Sequence, residues 1–238
     1  SHTIDLAYRE FAYFKGVSIH GHIFTYELVD GKTFVATCHE DGCDLPDHKI
    51  SWTPTIESGE YNGNPFAVDT QAWIDAGAKA PRLIYCFSET EGEADYDGYV
   101  GGDWPTVPPV DAGYYYVEVS VDAKGLEWKK VVLTFTIKPY VIGIEWSHTD
   151  DLIYNGNVQA PTAVGVFGDE KIPLTVVGGQ TNAGTYTATA VIENTNSNFA
   201  LPESNAHEFT ISPKKITATI EKKTSVYGEN QAALTATT

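Results

Sequence analysis

Apolar and polar residues alternate along this chain with a period of two, and helical 3.6-residue periodicity is hard to find anywhere. Tyr186, Ala188, Ala190 and Ile192 alternate with Thr187, Thr189 and Val191, and Phe209 and Ile211 alternate with Glu208, Thr210 and Ser212. Earlier in the chain Tyr115, Val117 and Val119, then Leu133, Phe135 and Ile137, repeat the pattern. Successive side chains of a strand point to opposite faces, so each run predicts a strand with one inward and one outward set. Nearer the start, β-rich residues 23–29 and 32–38 flank Asp30-Gly31. That dipeptide tolerates the positive φ angles of a tight turn, which predicts a hairpin. The expected fold class is all-β: tandem small antiparallel sandwiches in an extended array, with a small N-terminal hairpin module.

One ordered set of motifs occurs twice. The clearer copy has Tyr154-Asn155-Gly156-Asn157, then Asn182-Ala183-Gly184-Thr185-Tyr186, then Phe209-Thr210-Ile211-Ser212-Pro213. The earlier copy has Tyr61-Asn62-Gly63-Asn64, Asp111-Ala112-Gly113-Tyr114-Tyr115 and Phe135-Thr136-Ile137-Lys138-Pro139. Internal repetition sets the expected organisation: a two-cysteine module over 1–53, a first repeat over 54–140, a second over 141–215, and the truncated start of a third over 216–238. That last piece is expected to fray, to pair with the preceding repeat, or to add to the edge of a neighbouring molecule. The Ala-Gly-x-Tyr segments have the form of a tyrosine corner, a device of fold stability. Two residues beyond each corner Tyr stand Val117 and Ala188, where antibody domains carry a bridging Cys.

Cysteine chemistry concentrates in the first module, where Cys38 and Cys43 bracket a turn containing Asp41 and Gly42. A local Cys38–Cys43 disulfide is the leading expectation. Zinc is the rival, because His20, His22, Cys38, His39, Cys43 and His48 offer enough donors for a tetrahedral site, although not at finger or ribbon spacing. Free thiols are the third possibility. Cys86, within the apolar run Leu83-Ile84-Tyr85-Cys86-Phe87, reads as a buried thiol.

Composition narrows the function classes. Acidic residues outnumber basic ones 32 to 15, for a net charge of -17, which repels phosphate backbones and anionic lipid. No nucleic-acid partner, no membrane insertion and no cofactor are expected, and a monomer is. No Met occurs, and Ser1-His2 has the form left by removal of an expression tag, so the chain reads as a fragment of a longer protein. Paired carboxylates such as Asp95 and Asp97 are all that points to an enzyme; there is no Gly-rich phosphate loop and no nucleophile elbow. The expectation is a non-catalytic chain. Asp95-Tyr96-Asp97-Gly98-Tyr99 and Thr149-Asp150-Asp151 are only loosely like calcium loops.

The two repeats differ in one place. Fifty positions separate Tyr61 from Asp111 and 28 separate Tyr154 from Asn182, a difference of 22. Long excursions on rigid scaffolds are where binding surfaces tend to be built. This one interleaves Tyr85, Phe87, Tyr96, Tyr99 and Trp104 with Glu89, Glu91, Glu93, Asp95, Asp97 and Asp103, with Trp73 upstream. Flat rings pack on the apolar face of a sugar while carboxylates accept its hydroxyl protons. The same pairing suits protein contact. The candidate ligand site is Trp104, Tyr96 and Tyr99 as anchors with Asp95, Asp97 and Asp103 as acceptors. The competing reading makes the rings core and the acids a solvated loop.

The ordered motif triplet resembles the bacterial Ig-like and MBG-type repeats of Gram-positive cell-surface adhesins and cell-wall proteins. Residues 20–49, with Cys38 and Cys43, resemble a short two-cysteine module found between such repeats in surface proteins of gut Firmicutes. Tyr227-Gly228 resembles the opening of another MBG-type repeat. The resemblance implies an extracellular, tandemly repeated, non-catalytic module, often a stalk and sometimes a binder. The leading reading is a secreted or wall-anchored fragment that adheres to host glycan or host protein. A passive stalk, an immunoglobulin-binding module and a carbohydrate-binding module of a larger enzyme are the alternatives.

Overall fold

The computed structural model describes residues 22–94, 105–121, 129–147, 152–193, 198–220, 222–230, 233 and 236–237. Among the described residues the fold is all-β apart from two short helical turns. It divides into two compact units, Ser1–Tyr140 and Val141–Thr238. Among the described residues no helix is long and apolar enough to cross a membrane.

The first unit begins with the hairpin of β1 (Phe24–Val29) and β2 (Thr33–Cys38), joined at Asp30 and Gly31, whose φ angles are +54° and +72°. The Asp30 carboxylate fastens this turn by accepting the N–H groups of Lys32 and Thr33, each at 3.1 Å. β3 (Lys49–Trp52) pairs antiparallel with β2 to complete a three-stranded sheet. Next come β4 (Gly59–Glu60), the one-turn helix α1 (Gln71–Asp75), β5 (Arg82–Ser88), β6 (Gly113–Ser120) and β7 (Lys130–Lys138). These last four strands form a second sheet in the order β4-β7-β6-β5, with β4 parallel to β7 and the other pairs antiparallel.

One buried cluster joins the two sheets. It contains Phe34 and Ala36 from β2, Val117 and Val119 from β6, Phe135 and Ile137 from β7, and Trp73 from α1. Phe24, Tyr26, Leu28, Ile50 and Trp52 pack against it from β1 and β3. The two-cysteine segment is therefore the second layer of the first repeat's sandwich. Tyr26 adds a polar tie, its hydroxyl accepting the Lys79 N–H at 2.8 Å.

The second unit is entered along β8 (Tyr140–Val141), which pairs with β15 (Phe199–Ala200). A three-stranded sheet consists of β9 (Gly143–Ser147), β11 (Thr162–Phe167) and β12 (Glu170–Pro173) in the order β12-β11-β9. A four-stranded sheet runs β10 (Leu152–Ile153), β16 (Ala206–Ser212), β14 (Gly184–Val191), β13 (Thr175–Val177). Ala188, Phe209 and Ile211 are its buried centre, and Trp146 of β9 packs onto them from the facing sheet. Beyond Pro213, β17 (Thr219–Ile220) pairs antiparallel with β18 (Ala236–Thr237).

The two four-stranded sheets match in register. Gly113 stands opposite Ile137 and Tyr115 opposite Phe135, as Gly184 does to Ile211 and Tyr186 to Phe209. The parallel edge strands also correspond, Gly59 with Ile137 and Leu152 with Ile211. Each Tyr-Asn-Gly-Asn motif is a turn in which the first Asn side chain accepts the N–H of the second, at 2.8 Å for Asn62 and 2.9 Å for Asn155. Gly63 and Gly156 supply the left-handed backbone, at φ +76° and +83°. The Tyr61 and Tyr154 N–H groups then donate to the Lys138 and Ser212 carbonyls. These motifs are structural joints.

The corner tyrosines differ in quality. Tyr115 Oη donates to the Asp111 carbonyl at 2.9 Å, whereas Tyr186 Oη reaches the Ala183 carbonyl only at 3.5 Å. Each ring folds back over the corner glycine, where a Cβ on Gly184 would stand 2.8 Å from Tyr186 Oη. Replacing Tyr115 with Phe is expected to cost about 1 kcal/mol, the ordinary net worth of one such bond. Tyr186→Phe should cost clearly less, because its bond is at the limit of useful distance. Urea midpoints of the two variants check the order, and equal losses would mean that the corner hydroxyl is not what distinguishes them.

Candidate functional site

Two places in the first unit carry chemistry beyond packing. The first is the base of the long excursion, which leaves the sheet at the end of β5. Tyr85 and Ser88 point into protein, 3% and 1% exposed, while Phe87 stands 63% exposed on the same strand. Ser88 Oγ donates to the Thr90 carbonyl at 2.9 Å and Thr136 Oγ1 donates to Glu91 Oε1 at 3.3 Å, folding the chain back over the sheet. Ala94 packs on the small cluster of Ile84, Cys86 and Tyr116 on the outer face of that sheet. The returning chain reaches the edge of β5 at Pro105, whose carbonyl accepts the Tyr85 N–H at 2.8 Å. The Tyr85 hydroxyl accepts the Val68 N–H at 3.0 Å.

All six expected ligand residues, Asp95, Tyr96, Asp97, Tyr99, Asp103 and Trp104, lie outside the described residues, as do Thr149, Asp150 and Asp151. Of the flanking aromatics, Trp73 and Tyr85 belong to the core and Phe87 faces outward. Glu89, Glu91 and Glu93 are exposed. Cys86 is buried, and desolvation, with a smaller push from Glu118, raises its thiol pKa against a hydrogen bond from Tyr116. That environment makes it a poor nucleophile.

The second place lies at the open end of the first hairpin. His22 precedes β1, Cys38 ends β2 opposite Phe24, and Cys43 follows the turn closed by its N–H to the Glu40 carbonyl at 3.3 Å. His22 Nδ1 stands 3.4 Å from Cys38 Sγ and 3.5 Å from Cys43 Sγ. The three donor atoms lie within 4.8 Å of one another. On the far side of the ring, Asp44 Oδ1 is 3.6 Å from His22 Nε2. Cys38 and Cys43, the pair expected to form a disulfide, are brought side by side next to His22.

The backbone N–H of Glu40 acts to lower the Cys38 thiol pKa, and that of Leu45 to lower the Cys43 thiol pKa. Desolvation pushes the Cys38 thiol up, but the Glu40 N–H, Cys43 and His22 outweigh it and hold it below the ordinary value. Desolvation, with Cys38 and Asp44 adding to it, raises Cys43 against the Leu45 N–H. The two thiols are thus set apart, with Cys38 losing its proton more readily than Cys43.

Of the other histidines considered as donors, His39 Nε2 pairs with Thr25 Oγ1 at 2.8 Å. His48 sits in a turn with φ +56°, and His20 lies outside the described residues. Asp44 and Gly77 were not singled out from sequence. A Cβ on Gly77 would lie 3.0 Å from the His22 ring, so this loop glycine is part of the ring's seat. The signal that could have selected His22 was the alternation His22-Phe24-Tyr26, which puts all three on the core-facing side of the strand. Their rings follow one another at 5.3 and 6.1 Å.

No known family model matches this chain, and neither the curated proteins nor the solved structures contain a match.

Proposed function

We propose that this chain is a non-catalytic segment of a secreted or wall-anchored bacterial surface protein, and that it mediates adhesion by binding host glycan or host protein. The observation that supports this most is the doubled sandwich plan. The same three motifs occupy the same turn, corner and closing strand in both units, and only the first unit carries the aromatic and acidic excursion. Repetition of a stable frame with variation in one loop is how binding surfaces are built on a scaffold.

Three further features agree with that reading. Phe87 is a large exposed aromatic at the foot of the excursion, held edge-on to Tyr115 with ring centroids 5.8 Å apart. Glu91 is tied to Thr136 and Pro105 to Tyr85, fixing the chain to the sheet on either side of the excursion, which limits the entropy lost when a ligand is met. The net charge of -17 favours neutral or cationic partners over anionic ones.

The test is binding of the whole chain to a glycan array and to a panel of mucosal proteins that includes immunoglobulins, with Trp104→Ala and Phe87→Ala alongside. A hit that weakens by ten-fold or more in Trp104→Ala, the order expected of an interface anchor, would place the ligand on the excursion and name its class. Silence on both panels would remove the adhesion reading and leave a stalk. Turnover of any glycan would overturn the non-catalytic reading.

A further inference from the structure

We propose that His22, Cys38 and Cys43 bind a zinc ion, which clamps the open end of the first hairpin. The argument starts from one nitrogen. His22 Nδ1 is almost equally distant from two sulfurs, 3.4 and 3.5 Å. A single ring nitrogen offers one hydrogen or one lone pair, so it can complete a hydrogen bond with only one of them. A metal ion satisfies all three at once. Nitrogen and sulfur donors around tetrahedral Zn²⁺, with bonds of about 2.0 and 2.3 Å, stand about 3.5 Å apart, which is the spacing observed. A disulfide would make no use of the histidine.

The surroundings are those of a built site. The Asp44 carboxylate, largely exposed, stands 3.6 Å from Nε2, within reach of a hydrogen bond that would keep the ring proton there and leave the Nδ1 lone pair to the sulfurs. Gly77 leaves room for the ring where a side chain would press on it. Two thiolates and an imidazole select a thiophilic borderline cation rather than calcium or magnesium. The fourth position is left to water or one further donor. The ion would link the start of β1, the end of β2 and the turn after it, all within the layer that supplies Phe34 and Ala36 to the core. The inference is independent of whether the chain binds glycan or protein.

The experiment uses the whole chain purified under reducing conditions without chelator. Zinc content, thiol titration and intact mass are measured, and the chelated protein is then titrated with Co²⁺ and Zn²⁺. Stoichiometric zinc is expected, with all three thiols, Cys38, Cys43 and Cys86, titrating once the metal is removed and the chain unfolded. Co²⁺ should give a thiolate charge-transfer band that Zn²⁺ abolishes. His22→Ala should lose more affinity than the about 100-fold upper end for outer-shell partners, and Asp44→Asn about ten-fold. Chelation should lower the first unit's melting temperature, since an ion that binds only the folded state stabilises it. A mass two hydrogens below the all-thiol form in protein purified this way would overturn the proposal in favour of the disulfide. So would a wild-type chain giving no Co²⁺ thiolate band, or a His22→Ala chain that binds zinc as tightly as wild type.

Discussion

Deleting residues 1–53 is expected to unfold the first unit rather than trim an appendage from it. Strands β1–β3 place Phe24, Tyr26, Leu28, Phe34, Ala36, Ile50 and Trp52 in or against the cluster that also holds Val117, Val119, Phe135 and Ile137. Burying one large apolar side chain contributes about 1.5–3 kcal/mol, so losing this layer removes on the order of 10 kcal/mol even after allowing for side chains that are only partly buried. A domain's whole stability is about 5–15 kcal/mol. The truncated chain should therefore show no cooperative transition for the first unit and should bind a hydrophobic dye through its stripped sheet. The second unit, whose buried centre is Ala188, Phe209 and Ile211 under Trp146, should keep its own transition. A cooperative melt for residues 54–140 without the preceding segment would show that β1–β3 are not the facing layer they are described as here.

Trp73→Ala should be the most damaging single substitution in the first unit, at about 3–5 kcal/mol. Trp73 is 2% exposed on the one-turn helix α1 and packs between Tyr26 and Trp52, with ring centroids 5.9 and 5.7 Å away. Its Nε1–H donates to the Lys79 carbonyl at 2.8 Å, holding closed the loop after α1. Alanine would leave a cavity and a carbonyl without its donor, and the two costs add. Trp73→Phe keeps most of the volume and loses the donor, so a much smaller cost is expected of it. Urea unfolding of the three proteins decides the matter. A loss below about 1 kcal/mol for Trp73→Ala would mean that the cavity collapses or that the ring does not carry this core.

Local chemistry was legible wherever a few adjacent residues fix the backbone. Asp30-Gly31 announced the turn that forms, because few other dipeptides accept two positive φ angles in succession. The inward set Val117, Val119, Phe135 and Ile137 followed from period-two alternation, as did Ala188, Phe209 and Ile211. The aromatic content of residues 73–104 was harder to divide, since a ring suits a core and a binding face equally well. Neighbours distant in the chain put Trp73 and Tyr85 inside and Phe87 outside. Cys38 and Cys43 were visible as a pair, but their third neighbour could not be picked from His20, His22, His39 and His48. That choice depends on where the end of one strand falls against the start of another.

By itself, then, the sequence determined that this chain is all-β, that it repeats one sandwich plan twice, and where its turns and corner tyrosines fall. These are properties of short-range backbone geometry and of side-chain alternation, both written within a dozen residues. Tertiary structure alone decided which sheet covers which. An apolar strand face records that it must be buried, but not against what, and burial is satisfied by surface from any part of the chain that can reach it. For the same reason only the folded chain could show β1–β3 roofing the first repeat and His22 closing on two cysteines. Both are contacts between residues far apart in sequence; local alternation can put His22 on the core-facing side, but it does not say which residues meet it there.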